Sequence, residues 1–260
     1  MIAIPNPLKK LLIIKKMIDL DNYLIQYNKL PFEDIQIRYR RKRVLELLKE
    51  IKPSNILEIG CGYLPLFCDF KKFRKISIIE PVKTFYENAK EKSKGDPRIK
   101  IYNKLLENSL NDLRGSNFDF IIASSLLHEV GNPIRILNDI KEISNFNTRI
   151  CIIVPNSHSF HRLLAVAMGL IKNEYEKSNT QKKMQQATTF DKKTLCKLLK
   201  DNGLNPYSSE TYFVKPLTHE QMQKGLDKKI FNEEILDGLY KLSKTLPDIG
   251  SELMVLARKT

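Results

Sequence analysis

The chain contains no tryptophan, and its 10 glycines and 12 prolines are few for 260 residues. Collagen-like and low-complexity chains need far more of these residues, so those classes are excluded. No block repeats at a fixed period, which excludes a solenoid or a propeller. Cysteine is scarce too: Cys61, Cys68, Cys151 and Cys196 show neither CxxC spacing nor a companion histidine pattern. The sequence therefore offers no metal site, and the thiols read as free and intracellular. Long apolar runs are also missing. The stretch from Leu11 to Ile14 is too short for a signal-peptide core and is followed by no small-residue cleavage site, and Leu163 to Ile171 falls well short of the roughly 20 residues that cross a bilayer. A cytoplasmic protein without a transmembrane segment is expected, with an amphipathic first helix able to touch a membrane surface.

Acidic residues are in deficit: 44 Lys and Arg stand against 30 Asp and Glu, a net charge of +14. Such an excess prompts a search for an anionic partner, but most of it is lysine scattered along the chain rather than gathered into a stripe. The one dense cluster is Arg38-Tyr39-Arg40-Arg41-Lys42-Arg43. What is present in quantity is apolar residue, 42% of the chain, enough for one substantial core.

From Asn55 onward, short β-rich runs alternate with helical patterns, the signature of a parallel sheet covered by crossover helices. Strands are predicted at 56–59, 76–79, 99–102, 118–123 and 149–154, and their continuous apolar character suits burial on both faces. Helices are predicted at 84–92, 105–113 and 133–143, the last with Pro133 at a first helical position. Residues 1–53 read as a helical prefix or cap, with helices at 8–18 and 35–51 and a turn around Asn28 to Pro31. Residues 54–260 read as one doubly wound, Rossmann-like α/β domain of about seven mostly parallel strands. Within it, 156–190 forms a helical and loop insertion after strand five: a helix at 159–171, then an aperiodic basic stretch, 172–189, suited to a mobile lid. Beyond it come a helix capped by Asp191 and ended at Gly203, a strand at 212–214, two short helices and a last strand at 253–257.

The strongest local signal is Ile56-Leu57-Glu58-Ile59-Gly60-Cys61-Gly62, a buried strand entering a Gly-x-Gly turn. Glycine there lets backbone approach a ligand closely. Twenty residues after Gly60, strand two ends at Glu80, placed to accept hydrogen bonds from ribose hydroxyls. A dinucleotide would need its pyrophosphate on a helix start and a glycine where Pro65 stands. With Ile79-Glu80-Pro81 and the run from Phe118 to Val130, these motifs resemble the class I S-adenosylmethionine-dependent methyltransferases over residues 54–155. The resemblance implies S-adenosyl-L-methionine as cofactor, with Glu58, Gly60, Cys61 and Gly62 beside its methionine moiety, Glu80 and Pro81 at the ribose, Leu106 at the adenine and Ser124 at the end of strand four. Where the family often has a third glycine this chain has Leu64, followed by Pro65.

Residues predicted to meet the methyl acceptor lie at the same sheet edge. His128, just past strand four, is a candidate general base for a hydroxyl acceptor. After strand five come Asn156, His158, His161 and Arg162, the last with a planar fork suited to phosphate or carboxylate. Arg40, Arg43 and Tyr39, on the helix leading into strand one, are assigned to the methionine carboxylate or to an anionic acceptor. Tail segments around Tyr212 to Met222 and Leu246 to Glu252 look like methyltransferases that accompany bacterial surface-polysaccharide biosynthesis. The expected activity is O-methylation of a small anionic metabolite, such as a nucleotide-linked sugar or a phosphorylated or phosphoramidate precursor of capsule. Two alternatives stand beside it: an RNA methyltransferase, prompted by the charge, and a non-catalytic cofactor-binding subunit. No separate RNA-binding module and no tryptophan for base stacking is present, so no stable nucleic-acid partner is expected. The sequence leaves the oligomeric state open.

Overall fold

The computed structural model describes residues 19–260, so the helix expected at 8–18 lies outside the described residues. Helices α1 (Leu20–Tyr27) and α2 (Glu33–Ile51) precede β1 (Asn55–Ile59). There follow β2 (Lys75–Ile79), α3 (Lys83–Ser93), β3 (Ile99–Tyr102), α4 (Leu110–Leu113), β4 (Phe120–Ser124), α5 (Pro133–Ile143) and β5 (Arg149–Pro155). Helices α6 (Phe160–Ala167), α7 (Asn179–Lys183) and α8 (Lys192–Asp201) lead to β6 (Leu204–Tyr212), and α9 (His219–Asp227) and α10 (Glu233–Leu242) lead to β7 (Glu252–Lys259).

The strands form one sheet in the order β3-β2-β1-β4-β5-β7-β6, with β7 antiparallel to both neighbours and the other pairs parallel. This is the α/β architecture the alternating pattern predicts. Residues of each strand alternate between two apolar layers because the side-chain period of a strand is two. Ile56, Ile76, Ile78, Phe120 and Ile122 face a core shared with Val44, Leu47 and Leu48 of α2 and Leu236 of α10. Leu57, Ile59, Ile121 and Ile150 face the opposite core, with Ile136, Leu137 and Ile140 of α5 and Leu195 and Leu199 of α8. The Asn132 side chain caps α5 by accepting from the Arg135 amide, and Pro133 opens it, an arrangement worth about 1 kcal/mol. Since the chain runs outward from β1 to β3 and then returns to β4, the carboxyl ends of β1 and β4 flank the switch point where doubly wound sheets bind ligands.

Four local expectations are corrected. The sixth strand runs over Leu204–Tyr212, not 212–214. It is an edge strand with Asn205, Ser208, Ser209 and Glu210 on it, a bulge after Pro206 and no continuous apolar run to reveal it. The helix expected at 105–113 is a 3-10 turn at Leu106–Asn108 followed by the short α4. Ser109, whose hydroxyl bonds back to the Leu105 carbonyl, stands at the break. Helix α6 stops at Ala167, before Gly169 in a left-handed conformation. Finally, the stretch read as aperiodic contains α7, started by a capping box between Ser178 and Gln181.

Candidate active site

The turn after β1 is built from its amides upward. Gly60 has φ +77° and Gly62 φ +55°, the left-handed region that glycine adopts without cost. The Cys61 and Gly62 amides both donate to Glu80 Oε2, at 2.9 and 3.1 Å, and the Val82 amide donates to Oε1 at 3.0 Å. Glu80 thus fastens the glycine turn to the end of β2, while Asn103 Nδ2 holds the Glu80 and Pro81 carbonyls at 2.9 and 3.1 Å. A Cβ built on Gly60 meets no protein atom within 4 Å, so its surroundings there are open cavity. The missing third glycine has its explanation here. Leu64 and Pro65 enter a 3-10 turn, Leu66–Cys68, whose first amide donates to Glu58 Oε2 at 2.9 Å, and Arg41 holds the Leu64 carbonyl from α2. Burial pushes the Glu58 carboxyl up to about 7 against the opposing pull of Arg41.

This turn is one wall of a cavity of about 1700 Å³. Pockets for single small ligands run from roughly 300 to 1000 Å³, so there is room for a nucleoside-sized donor and a second molecule. Glu58, Gly60, Cys61, Gly62, Glu80, Pro81, Leu106 and Ser124 all line it. Tyr63, Tyr27 and Phe85 form an aromatic cluster beside it, with ring centroids 4.6 Å apart for Tyr63 and Phe85 and 5.7 Å for Tyr27 and Phe85. The residues present fit a nucleoside cofactor: open space beside a glycine, a strand-end carboxylate with acceptor capacity left after three amides, and an apolar wall at Leu106.

The other wall holds a buried polar group. Arg40 Nη2 donates to Glu252 Oε1 at 2.7 Å and its Nη1 lies 3.5 Å from Glu33 Oε1, so its charge is matched by carboxylates within the protein. Arg162 also reaches the cavity, yet its Nε donates to the Glu174 carbonyl at 2.8 Å, its Nη1 to Gln181 Oε1 at 3.1 Å and its Nη2 to the Glu176 carbonyl. Its visible work is to tie the insertion down. Asn156 is similarly engaged, donating to the Asp248 and Gly250 carbonyls at 2.9 and 2.8 Å. His161 lines the cavity with Nδ1 3.1 Å from Ser159 Oγ, and burial holds its ring neutral. His128 is buried there too, with Nδ1 unpartnered and its pKa pressed down to about 3 by desolvation and then by Arg40.

Three expected site residues are not brought to the cavity. Tyr39 is stacked on Phe213 at 4.6 Å with its hydroxyl on Asp237, because it lies on the core face of α2. Arg43, one turn past Arg40, reaches β6 instead of β7 and pairs with Glu210 at 2.7 Å. His158 turns outward to Glu174 at 3.1 Å. Sequence reasoning also missed residues that do line the cavity: Glu33, Gln36, Glu129, Ser157, Lys215, His219 and Glu252. A lysine closing the apolar run Tyr212-Phe213-Val214 was the available signal for Lys215.

A model of the methyltransferase domain family matches residues 32–209. The chain belongs to that family; it is a methyltransferase, with S-adenosyl-L-methionine as cofactor. No curated protein matches the sequence. Among solved structures the fold is similar to a SAM-dependent methyltransferase of Thermotoga maritima, a possible histamine N-methyltransferase, at 16% identity and TM-score 0.57, covering 93% of this chain and 98% of that one. It is also similar to a putative S-adenosylmethionine dependent methyltransferase of Listeria monocytogenes (14% identity, TM-score 0.54, 85% and 98% covered). A third likeness is the N-methyltransferase NodS of Bradyrhizobium japonicum WM9 (12% identity, TM-score 0.53, 85% and 95% covered). None of the described helices is long and apolar enough to cross a membrane.

Proposed function

We propose that the protein methylates an oxygen of a small anionic metabolite, with a nucleotide-linked sugar or a phosphorylated precursor of surface polysaccharide as the kind of acceptor. The carrying observation is the continuity of one cavity from the glycine turn and Glu80 to a buried wall bearing Arg40, Arg162 and Lys215. The polysaccharide context rests on the sequence of the tail alone. When bound, S-adenosyl-L-methionine supplies an electrophilic methyl group on a sulfonium. Glu80 would hold the ribose, Glu58, beside the open space at Gly60, the methionine moiety, and Leu106 the adenine.

The proton chemistry of the wall favours an oxygen that is already ionised. His128, at about 3, is too weak a base to take a hydroxyl proton readily near neutral pH, because an effective base titrates close to the operating pH. Its neighbour Glu129 is pushed up to about 8 by burial and keeps its proton there, beside the Tyr23 hydroxyl at 3.4 Å. The base role assigned to His128 from sequence is therefore not supported by its surroundings.

The RNA reading loses one of its two prompts, the dense cluster, while the net charge of +14 stands. Arg38 pairs with Glu233, Lys42 with Asp237 and Arg43 with Glu210, so the dense cluster is engaged within the protein rather than free as a stripe. Incubation with methyl-labelled S-adenosyl-L-methionine should put label into hydroxylated carboxylates or phosphate esters and not into total RNA. Label in RNA, with retention falling steeply as salt rises, would reverse that ordering.

Glu58 gives a second check on the donor half. Its free-protein pKa of about 7 means that a donor ammonium placed beside it favours the ionised form. Binding S-adenosylhomocysteine near pH 6 should therefore release up to about one proton, measured by calorimetry in two buffers of different ionisation enthalpy. The release should vanish in Glu58→Gln; wild-type binding without it places the methionine moiety elsewhere.

A further inference from the structure

Beyond the end of β6, Lys215 is only 2% exposed and lines the acceptor half of the cavity. Among the described residues its ammonium makes no hydrogen bond and has no carboxylate oxygen within the 4.0 Å of an ion pair. Burying an unpartnered ammonium is costly, and desolvation accordingly presses its pKa down to about 8, with Glu252 and Glu33 opposing.

Several buried polar atoms that line the same cavity lack a partner, His128 Nδ1 and Arg40 Nε among them. Ser157 Oγ and His219 Nε2 are buried without a partner, and so are the acceptors Gln36 Oε1 and Glu252 Oε2. The Gln36 orientation is fixed by its Nε2, which donates to Ser251 Oγ at 3.1 Å and Glu252 Oε1 at 2.8 Å. Buried polar atoms are nearly always satisfied, so these unsatisfied atoms in the cavity that Lys215 also lines point to a ligand. Two other cations that line the cavity are already engaged, the charge of Arg40 by Glu252 and Glu33 and the donors of Arg162 by the insertion's carbonyls.

We propose that Lys215, with Ser157 and His219, holds the oxyanion of a hydroxylated acceptor, a hydroxy acid or a sugar phosphate, while Gln36 and Glu252 accept from its hydroxyl groups. This rests on the small-acceptor reading above and names the residues that anchor the acceptor. Arg162, favoured by sequence, becomes a strut of the insertion, and Lys215 becomes the determinant of acceptor charge.

The test uses the full chain saturated with S-adenosylhomocysteine and follows Tm while lactate or glycerol 3-phosphate is added, against chloride at matched ionic strength. One of the two should raise Tm in the wild type and identify the oxyanion as carboxylate or phosphate. Lys215→Met, which keeps the aliphatic stem, should weaken that response about tenfold or more in ligand concentration, the scale of a lost charged hydrogen bond. S-adenosylhomocysteine affinity should stay at the wild-type value in the same variant. Ser157→Ala, a deletion of one hydroxyl, should weaken the response about threefold and keeps the test independent of how well the lysine variant folds. S-adenosylhomocysteine binding with no response to either anion, or an undiminished response in both variants, overturns this proposal alone. No S-adenosylhomocysteine binding in the wild type overturns the donor reading beneath it as well.

Discussion

Glu80→Ala should weaken S-adenosylhomocysteine binding by at least about tenfold and toward a hundredfold, and should lower Tm in the same preparation. The first effect comes from the ribose, since hydrogen bonds to a charged group are worth about 1.5–3 kcal/mol. The second comes from the protein itself. Glu80 accepts from the Cys61, Gly62 and Val82 amides, and deleting the carboxylate leaves those donors, at the rim of a buried turn, without their acceptor. Each such group costs about 1–3 kcal/mol if nothing replaces the bond, so the glycine turn should lose its shape along with its ligand. Glu80→Gln separates the two contributions. Its single carbonyl oxygen can serve the Cys61 and Gly62 amides, as Oε2 does, but the Val82 amide would then face an NH2 group. The glutamine variant should therefore fold better than the alanine variant and still bind the donor more weakly than wild type. Calorimetric titration with parallel thermal unfolding measures both; wild-type affinity in Glu80→Ala sinks the placement of the ribose.

How far the sequence carries depends on what each residue's neighbours are. The central strands were legible because strands buried on both faces must be apolar throughout, and Ile56, Leu57, Ile78 and Ile121 show that directly. Glycine at 60 and 62 was legible because its backbone conformation is a local property. Edge strand β6 was not, since Asn205, Ser208 and Glu210 contribute no apolar period. The Arg38 to Arg43 cluster misled for a related reason. Periodicity shows that Arg40 and Arg43 lie near one another on α2, but not that one turn of helix carries the first to Glu252 of β7 and the second to Glu210 of β6. Those partners are about 170 or more residues away along the chain, and ion pairs of that range leave no mark in local sequence. The acceptor wall has the same character: Gln36, Ser157, Lys215 and Glu252 converge only through the order of the strands.

Arg40→Met should destabilise the protein by about 3–5 kcal/mol near pH 8, the range seen when one partner of a buried pair is removed. Arg40 is 14% exposed at its side chain and Glu252 3%, so water screens the pair little. Glu33, 15% exposed, loses the same cation, and Lys215 lies too far away to pair with either carboxylate. The pH dependence gives this loss a signature. Without Arg40, the Glu33 carboxyl, already raised by burial, rises further above the unfolded glutamate value near 4.3, so the folded variant binds more protons than the unfolded chain between that value and the raised one. Stability of the variant then falls as pH rises through that window, and the deficit relative to wild type should be small near pH 4.5 and full near pH 8. A second change, Glu252→Gln in the Arg40→Met background, removes one stranded charge and should recover part of the loss. The sequence assigned Arg40 to the donor's carboxylate instead. That role predicts a different result: a tenfold weaker Kd for S-adenosylhomocysteine with little change in stability, since the deleted charge would then have served the ligand. Urea unfolding at the two pH values, with donor titration at the upper one, decides between them. A deficit under about 1 kcal/mol at both pH values rejects Arg40 as the counterion of Glu252 and Glu33.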